Sequence, residues 1–346
     1  MDQIIRIGMD TSKHIFQLHG VNAAERPVLR KRLRRKEVVD FFGKLSPTVI
    51  AIEACGASHY WARELARLGH KVKLIAPQLV KPYVTRNKND SRDAEALCEA
   101  VSRPHMRFVP AKSADQQAAL MLAGIREALI ARRTQLSNAI RGYAAEFGVT
   151  AAKGLDKIEP LLARIAQDES LPALVVELFA IQHRDYEQLQ VELKAIEARL
   201  LAWHRGNAAS RRLAQIPGVG PIGAATLVMK TPDPGAFLSG RHFAAWLGLT
   251  PKDHSTAGKT RTGKITRAGD ERLRSVLVAG ATAVIQQATH SRGRPSPWLI
   301  ALLKRKPPKL AAVALANKTA RIAWKLMTTG EDYDGTRMLG ASAMAA

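Results

Sequence analysis

The chain is poor in cysteine, in aromatic residues and in acid. Two cysteines, Cys55 and Cys98, stand in 346 residues, too few for a disulfide framework or a cysteine zinc site. Aromatic residues make up 5%, so base-stacking platforms are scarce and contacts to a polyanion backbone dominate any nucleic-acid binding. The 30 Asp and Glu face 53 Lys and Arg, a formal net charge of +23. No apolar run reaches the ~18 residues that cross a bilayer, and no basic amphipathic anchor is evident. The start lacks a charged segment followed by an apolar one, so no secretory signal is expected. The expectation is a reduced, cytoplasmic protein without a membrane partner, whose charge asks for nucleic acid. At 46% hydrophobic residues, the chain can fill more than one core.

Three regions separate by pattern. Residues 1–112 alternate short apolar runs with helical stretches, which predicts an α/β domain. The runs 4–10, 15–21, 28–33, 48–53 and 71–75 read as strands, and 36–45 and 61–68 as helices. Residues 113–205 carry no strand signal. Leu122, Ile125, Leu129, Leu136, Ile140, Tyr143 and Phe147 keep helical spacing. Val175, Phe179, Gln182, Tyr186, Leu189, Leu193, Ile196, Leu200 and Trp203 step by four and three, a heptad seam. This predicts a helical coiled-coil hairpin or an oligomerising coiled coil. Residues 206–329 read as a mostly α C-terminal domain, and 330–346 as a disordered tail.

Four carboxylates stand out in the first region. Asp10 follows the strand Ile7-Gly8-Met9, and Glu53 ends a second apolar strand before Ala54-Cys55-Gly56. Asp90 and Asp93, three apart, share one helix face. If the strands are neighbours, Asp10 and Glu53 converge at one sheet edge. Clustered carboxylates repel unless a cation holds them, and hard oxygen donors select Mg²⁺ or Mn²⁺. The plainer alternatives are a helix cap with an acidic first turn for Asp90 and Asp93, and a solvated strand end for Glu53.

The segments Ile7-Gly8-Met9-Asp10-Thr11-Ser12-Lys13, Ile52-Glu53-Ala54-Cys55-Gly56 and Asn87-Lys88-Asn89-Asp90-Ser91-Arg92-Asp93-Ala94 resemble the Asp-Glu-Asp-Asp motifs of the insertion sequence 110 family of transposases. The resemblance implies an N-terminal RuvC-like, RNase H-type domain with Asp10, Glu53, Asp90 and Asp93 as Mg²⁺ ligands. It also implies a guide, the bridge RNA, that pairs with donor and target DNA.

The run Gln215-Ile216-Pro217-Gly218-Val219-Gly220-Pro221 resembles a helix–hairpin–helix. Gly218 and Gly220 would let the hairpin backbone approach a phosphate, although a plain helix–helix turn uses the same punctuation. Residues 252–274 carry seven basic residues against three acidic ones. The block from Phe243 to Arg274 resembles the C-terminal transposase domain of the same family, which implies a catalytic serine. Ser255 takes that role, and Thr256 also fits because the pattern varies in length by one residue. A serine hydroxyl needs activation, which a metal held by the carboxylates could supply. Lys259, Arg261, Lys264 and Arg267 would neutralise phosphate. His254 reads as structural.

Arg26, Arg30, Lys31, Arg32, Arg34, Arg35 and Lys36 put seven cations in eleven residues. Arg30 and Arg34 lead the nucleic-acid candidates there, and Arg292, Arg294 and Lys304-Arg305-Lys306 add a second cluster. Binding through such charges falls steeply with salt. The expected function is DNA cutting and rejoining by a dimer or tetramer, through Mg²⁺-dependent phosphoryl transfer and a covalent phosphoserine. The alternatives are a RuvC-like nuclease of the Holliday-junction resolvase type, which does not need Ser255, and an architectural nucleic-acid-binding protein. An actin-like ATPase also starts with a strand-Gly-x-Asp segment, but no Gly-rich phosphate loop follows here.

Overall fold

The computed structural model describes residues 3–84, 90–231, 233–256, 258–290 and 295–335, with backbone alone for Asp90 and Ser91. The chain divides into two compact units, Met1–Gln117 and Ala118–Ala346.

The first unit contains β1 (Ile4–Thr11), β2 (Ile15–Asn22), β3 (Pro27–Arg34), α1 (Val38–Gly43), β4 (Val49–Glu53), α2 (Ser58–Arg67), β5 (Lys71–Ile75), α3 (Pro77–Val80), α4 (Asp90–Ala100) and β6 (Phe108–Val109). The strands form one mixed sheet in the order β3-β2-β1-β4-β5-β6. The first three strands are a meander, because short turns join antiparallel partners. β1, β4 and β5 run parallel, which demands crossovers, and α1 and α2 supply them. Both helices cover one face, where Val38, Phe42, Trp61 and Leu65 pack on Ile7, Met9, Phe16, Ile50 and Ile52. Each such side chain contributes roughly 1.5–3 kcal/mol on burial. The other face carries α4, packed through Ala96, Leu97 and Ala100 on Ala51 and Ile75.

Gly8 sets the approach of α4. A Cβ at Gly8 would lie 1.9 Å from the Ala94 carbonyl oxygen and 2.6 Å from the Cys98 nitrogen, so helix and strand touch backbone to backbone. Two residues back along β1, Arg6 donates from Nε to the Cys98 carbonyl at 3.0 Å. Its guanidinium pairs with Glu25 in the β2–β3 turn. Ala94 and Cys98 thus pass over Gly8 and Arg6 in descending order, and α4 runs antiparallel to β1. The first turn of α4 therefore lies at the Asp10 end of the strand.

The segment from Ala114 onward is helical except for one small hairpin. Its elements are α5 (Ala114–Glu146), α6 (Ile158–Ala166), α7 (Ala173–Gly206), α8 (Ala208–Leu213), α9 (Pro221–Lys230), α10 (Gly240–Trp246), β7 (Pro251–Asp253), β8 (Thr262–Ile265), α11 (Glu271–Thr289), α12 (Pro297–Arg305) and α13 (Pro308–Thr329). α5 and α7 are antiparallel, as the ion pairs Arg126–Glu197 and Arg132–Asp185 require. The expected α7 seam faces inward, with Phe179, Tyr186, Leu189, Leu193, Ile196 and Leu200 buried. The α5 seam differs from expectation. Leu129 and Ile140 are buried as expected, but Ile125, Tyr143 and Phe147 are exposed, and Ala119, Ala123, Ser137 and Ala144 are buried beside them. Small residues let the helices close up, and a pattern weighted to large apolar side chains overlooks them.

The C-terminal core joins α8 through α13, with Leu277, Ala281 and Ile285 of α11 against the alanine face of α13. Past α13, Tyr333 donates its backbone N–H to Gln215 Oε1 at 2.9 Å and Lys325 pairs with Glu331. Those residues stand at the start of the tail expected to be disordered; residues 336–346 lie outside the described residues, as do Arg292 and Arg294. No helix among the described residues is long and apolar enough to cross a membrane.

Candidate active site

β1 and β4 are parallel neighbours, with Gly8 beside Ala51 and Met9 beside Ile52. Continuing that register by one residue sets Asp10 beside Glu53. Strand pairs stand ~4.8 Å apart, so the two backbones present their carboxylates side by side at the strand ends. The loops beyond stay together, with Thr11 Oγ1 3.6 Å from Cys55 Sγ. Asp10 and Glu53 are half-buried. Both lie on the Gly8 side of the pleat, the side that α4 covers, and residues 90–93 form the first turn of that helix. The fold therefore brings all four motif positions to one edge. Among the described residues no three His, Cys, Asp or Glu side chains close into a metal-binding group; the Asp90 side chain lies outside the described residues. The side chains of Asp10, Glu53 and Asp93 are thus not drawn together as a ligand set, but the donors these positions offer are hard carboxylate oxygens, the chemistry that suits a divalent cation of the Mg²⁺ type.

The other candidate group lies in the second unit, on the β7–β8 hairpin. The hairpin is fixed at its base, where Arg274 Nη1 donates to the carbonyls of Leu247 and Ala268, both at 3.1 Å. Ser255 is exposed, and its hydroxyl accepts the Arg261 N–H at 3.0 Å. Its own N–H donates to Asp253 Oδ1 at 2.8 Å. The Ser255 hydroxyl also bonds the Asp253 carboxylate, which together with that N–H holds the carboxylate below its usual range. Asp253 was not among the residues singled out in the sequence, though Asp-x-Ser is the signature of a carboxylate that bonds its own chain two residues on. Thr256 pairs through its backbone with Lys259. Lys259, Arg261, Lys264 and Arg267 are all exposed. His254 packs its ring against Gly263.

Internal packing by itself already calls for glycine at Gly218. Its φ is +83°, and a Cβ there would meet the Gly280 carbonyl oxygen of α11 at 2.7 Å. The close approach at Gly218 is internal packing. Gly220 caps α9 with open space where a Cβ would stand.

Of the basic run, Arg30, Lys31, Arg32 and Arg34 are exposed on β3. Part of the run lies over aromatic rings: Lys31 Nζ is 4.9 Å from the Phe41 centroid and the Arg35 guanidinium 5.1 Å from that of Trp61. Lys304, Arg305 and Lys306 are exposed at the end of α12.

Two family models match the chain. One, described as transposase, of the type carrying the Asp-Glu-Asp-Asp motif, covers residues 7–147. The other, described as transposase IS116/IS110/IS902 family, covers residues 210–295. A Sinorhizobium fredii protein named as a transposase, y4pF/y4sB, is 66% identical over 96% of this chain and 86% of its own length. The transposase for insertion sequence element IS1328 of Yersinia enterocolitica is 38% identical over 95% of this chain and 98% of its own. The transposase for insertion sequence element IS1111A of Coxiella burnetii is 36% identical over 96% and 92%. The first model implies a RuvC-like fold for the mixed sheet and a divalent-metal dependence. With its acidic edge in the first unit and its basic hairpin in the second, the chain belongs to the IS110 family of insertion-sequence transposases.

Proposed function

We propose that the protein cuts and rejoins DNA through a phosphoserine formed on Ser255, with Asp10, Glu53, Asp90 and Asp93 holding Mg²⁺ or Mn²⁺. The observation that carries this is the convergence of β1, β4 and the first turn of α4 on one sheet edge. A divalent cation bound there would offset the repulsion among the carboxylates and stabilise charge on the oxygens of the reacting phosphate. Ser255 supplies the attacking oxygen, oriented by Asp253 and the Arg261 N–H. Lys259, Arg261, Lys264 and Arg267 draw the phosphate to it. The Oγ–P bond replaces a phosphorus–sugar-oxygen bond, and the freed sugar oxygen ends as a hydroxyl. One ester linkage is exchanged for another, so rejoining needs no nucleotide cofactor.

Arg30 and Arg34, with the α8–α9 turn at Gly218 and Gly220 acting as a helix–hairpin–helix, give backbone contacts that do not read sequence. A bridge RNA supplies the sequence by pairing. The α5–α7 pair works as a coiled coil that joins copies into a dimer or tetramer, so that Ser255 and the acidic edge meet.

The test is a DNA-cutting and adduct assay on the purified protein with its guide, with Mg²⁺ present and absent. Asp10→Asn and Glu53→Gln should lose ~10³-fold or more in cutting and keep DNA binding. Ser255→Ala should lose the covalent adduct and strand exchange with binding intact. Normal strand exchange by that variant would remove the serine from the mechanism. Unchanged cutting by Asp10→Asn in Mg²⁺ would remove the carboxylates.

A further inference from the structure

We propose that the α4-side face of β3 is a track for one strand of the DNA substrate, with Arg30, Arg32 and Arg34 on successive phosphates. This rests on the acidic edge being the place where DNA is cut. β3 is the edge strand. Its pairing with β2 sets Arg30 opposite His19, Arg32 opposite Gln17 and Arg34 opposite Ile15. β2 in turn sets His19 opposite Gly8 and Gln17 opposite Asp10.

Paired residues share a face of a sheet. The three arginines therefore stand on the side that Gly8 and Asp10 occupy, while Leu33 turns into the core on the other. Arg32, Gln17, Asp10 and Glu53 fall in one row across four strands. Arg32 is two strand spacings, ~10 Å, from Asp10. Along β3 the arginines recur every second residue, ~6.8 Å apart, a regular line suited to an extended phosphate backbone. All three are exposed, and among the described residues none of the three guanidiniums forms an ion pair, although the Glu37 carboxylate accepts the Arg34 backbone N–H at 2.7 Å.

A charged edge strand also guards against sheet-to-sheet association. That role is met by either sign of charge on either face, and lysine serves it well. It does not call for three guanidiniums in line on the carboxylate side. Guanidinium is the group that grips phosphate in a fixed fork geometry. The strand is assigned as DNA because the row ends at the carboxylates that act on DNA.

The experiment measures affinity of the full chain for mixed-sequence single-stranded DNA across a KCl series, with the same sequence as RNA in parallel. Each phosphate contact contributes ~0.7 to the slope of log K against log salt for a single strand. The combined variant Arg30→Gln, Arg32→Gln, Arg34→Gln should flatten the DNA slope by about 2, and Arg32→Gln alone by about 0.7. The single variant leaves Arg30, Lys31 and Arg34 as guarding charges on the edge, so it remains informative if the triple variant associates. Replacing three adjacent phosphates by neutral methylphosphonates should weaken wild-type binding and leave the triple variant unaffected. An unmoved DNA slope in Arg32→Gln, or a loss confined to RNA, overturns the track. Asp10→Asn run beside these separates the two ideas. If it still cuts, the acidic edge falls, whatever the slopes; if cutting is lost while the arginine variants keep the wild-type slope, the track alone falls.

Discussion

Replacing Gly8 by alanine inserts one methyl group between β1 and α4. Its carbon would lie 1.9 Å from the Ala94 carbonyl oxygen, where ordinary contact begins at 3.4 Å. The obstructing atoms are backbone of a helix, so no rotamer change relieves them. α4 must withdraw by about 1.5 Å, the difference between those two distances. Overpacking of this kind costs ~1–3 kcal/mol or more. The displacement also carries the first turn of α4, with Asp90 and Asp93, away from Asp10 and Glu53. A misplacement of ~1 Å at a reacting centre can cost ~10²-fold in rate. Gly8→Ala should therefore lower the unfolding midpoint by a few degrees per kcal/mol and cut DNA ~10²-fold more slowly. The control is Gly43→Ala at the end of α1, where an added Cβ meets nothing within 4 Å; it should be neutral or gain ~0.5–1 kcal/mol. Matching midpoints and cutting rates for the two variants would refute the backbone contact as the device that positions α4.

Two further outcomes follow from the packing. His59 Nδ1 accepts the Lys112 N–H at 3.2 Å, and Nε2 lies 2.9 Å from Lys112 Nζ. Burial, then the charges of Lys112 and Arg63, push this imidazole down to about 4. The unfolded chain, with histidine near ~6.5, binds the extra proton first, so the His59 contribution to stability is full above ~6.5 and lost as pH falls toward 4. An NMR titration placing the His59 midpoint at ~6.5 would contradict this. Asp270 caps α11 by accepting the Leu273 N–H at 2.9 Å and pairs with Lys230 at 3.0 Å. Asp270→Ala should cost ~1–2 kcal/mol in a denaturant melt, and Asp270→Asn less, because asparagine keeps the cap. Equal losses would show that the ion pair, not the cap, carries the effect.

The main strands of the first unit were legible because each depends on local pattern. Apolar runs at 4–10, 48–53 and 71–75 fill the middle of the sheet, and such runs need no partner to be recognised. β6, two residues long, carries no period to read. The β7–β8 hairpin was hidden for a related reason: its strands are short and almost wholly exposed, so no alternation of apolar and polar residues marks them. The α5 seam was misjudged because alanine and serine lie in it, and their burial is decided by how near α7 comes.

The chain's own letters determined the acidic motif, the excess of positive charge and the glycine at position 8, since composition and spacing are properties of a string. Only the folded sheet decided that Asp10 and Glu53 are neighbours, that α4 points its first turn at them, and that Arg32 stands in their row. Register joins residues far apart in sequence, and it follows from which strands pair and which side of each pleat is buried. A one-residue slip between β2 and β3 would leave the sequence untouched and turn those arginines to the opposite face.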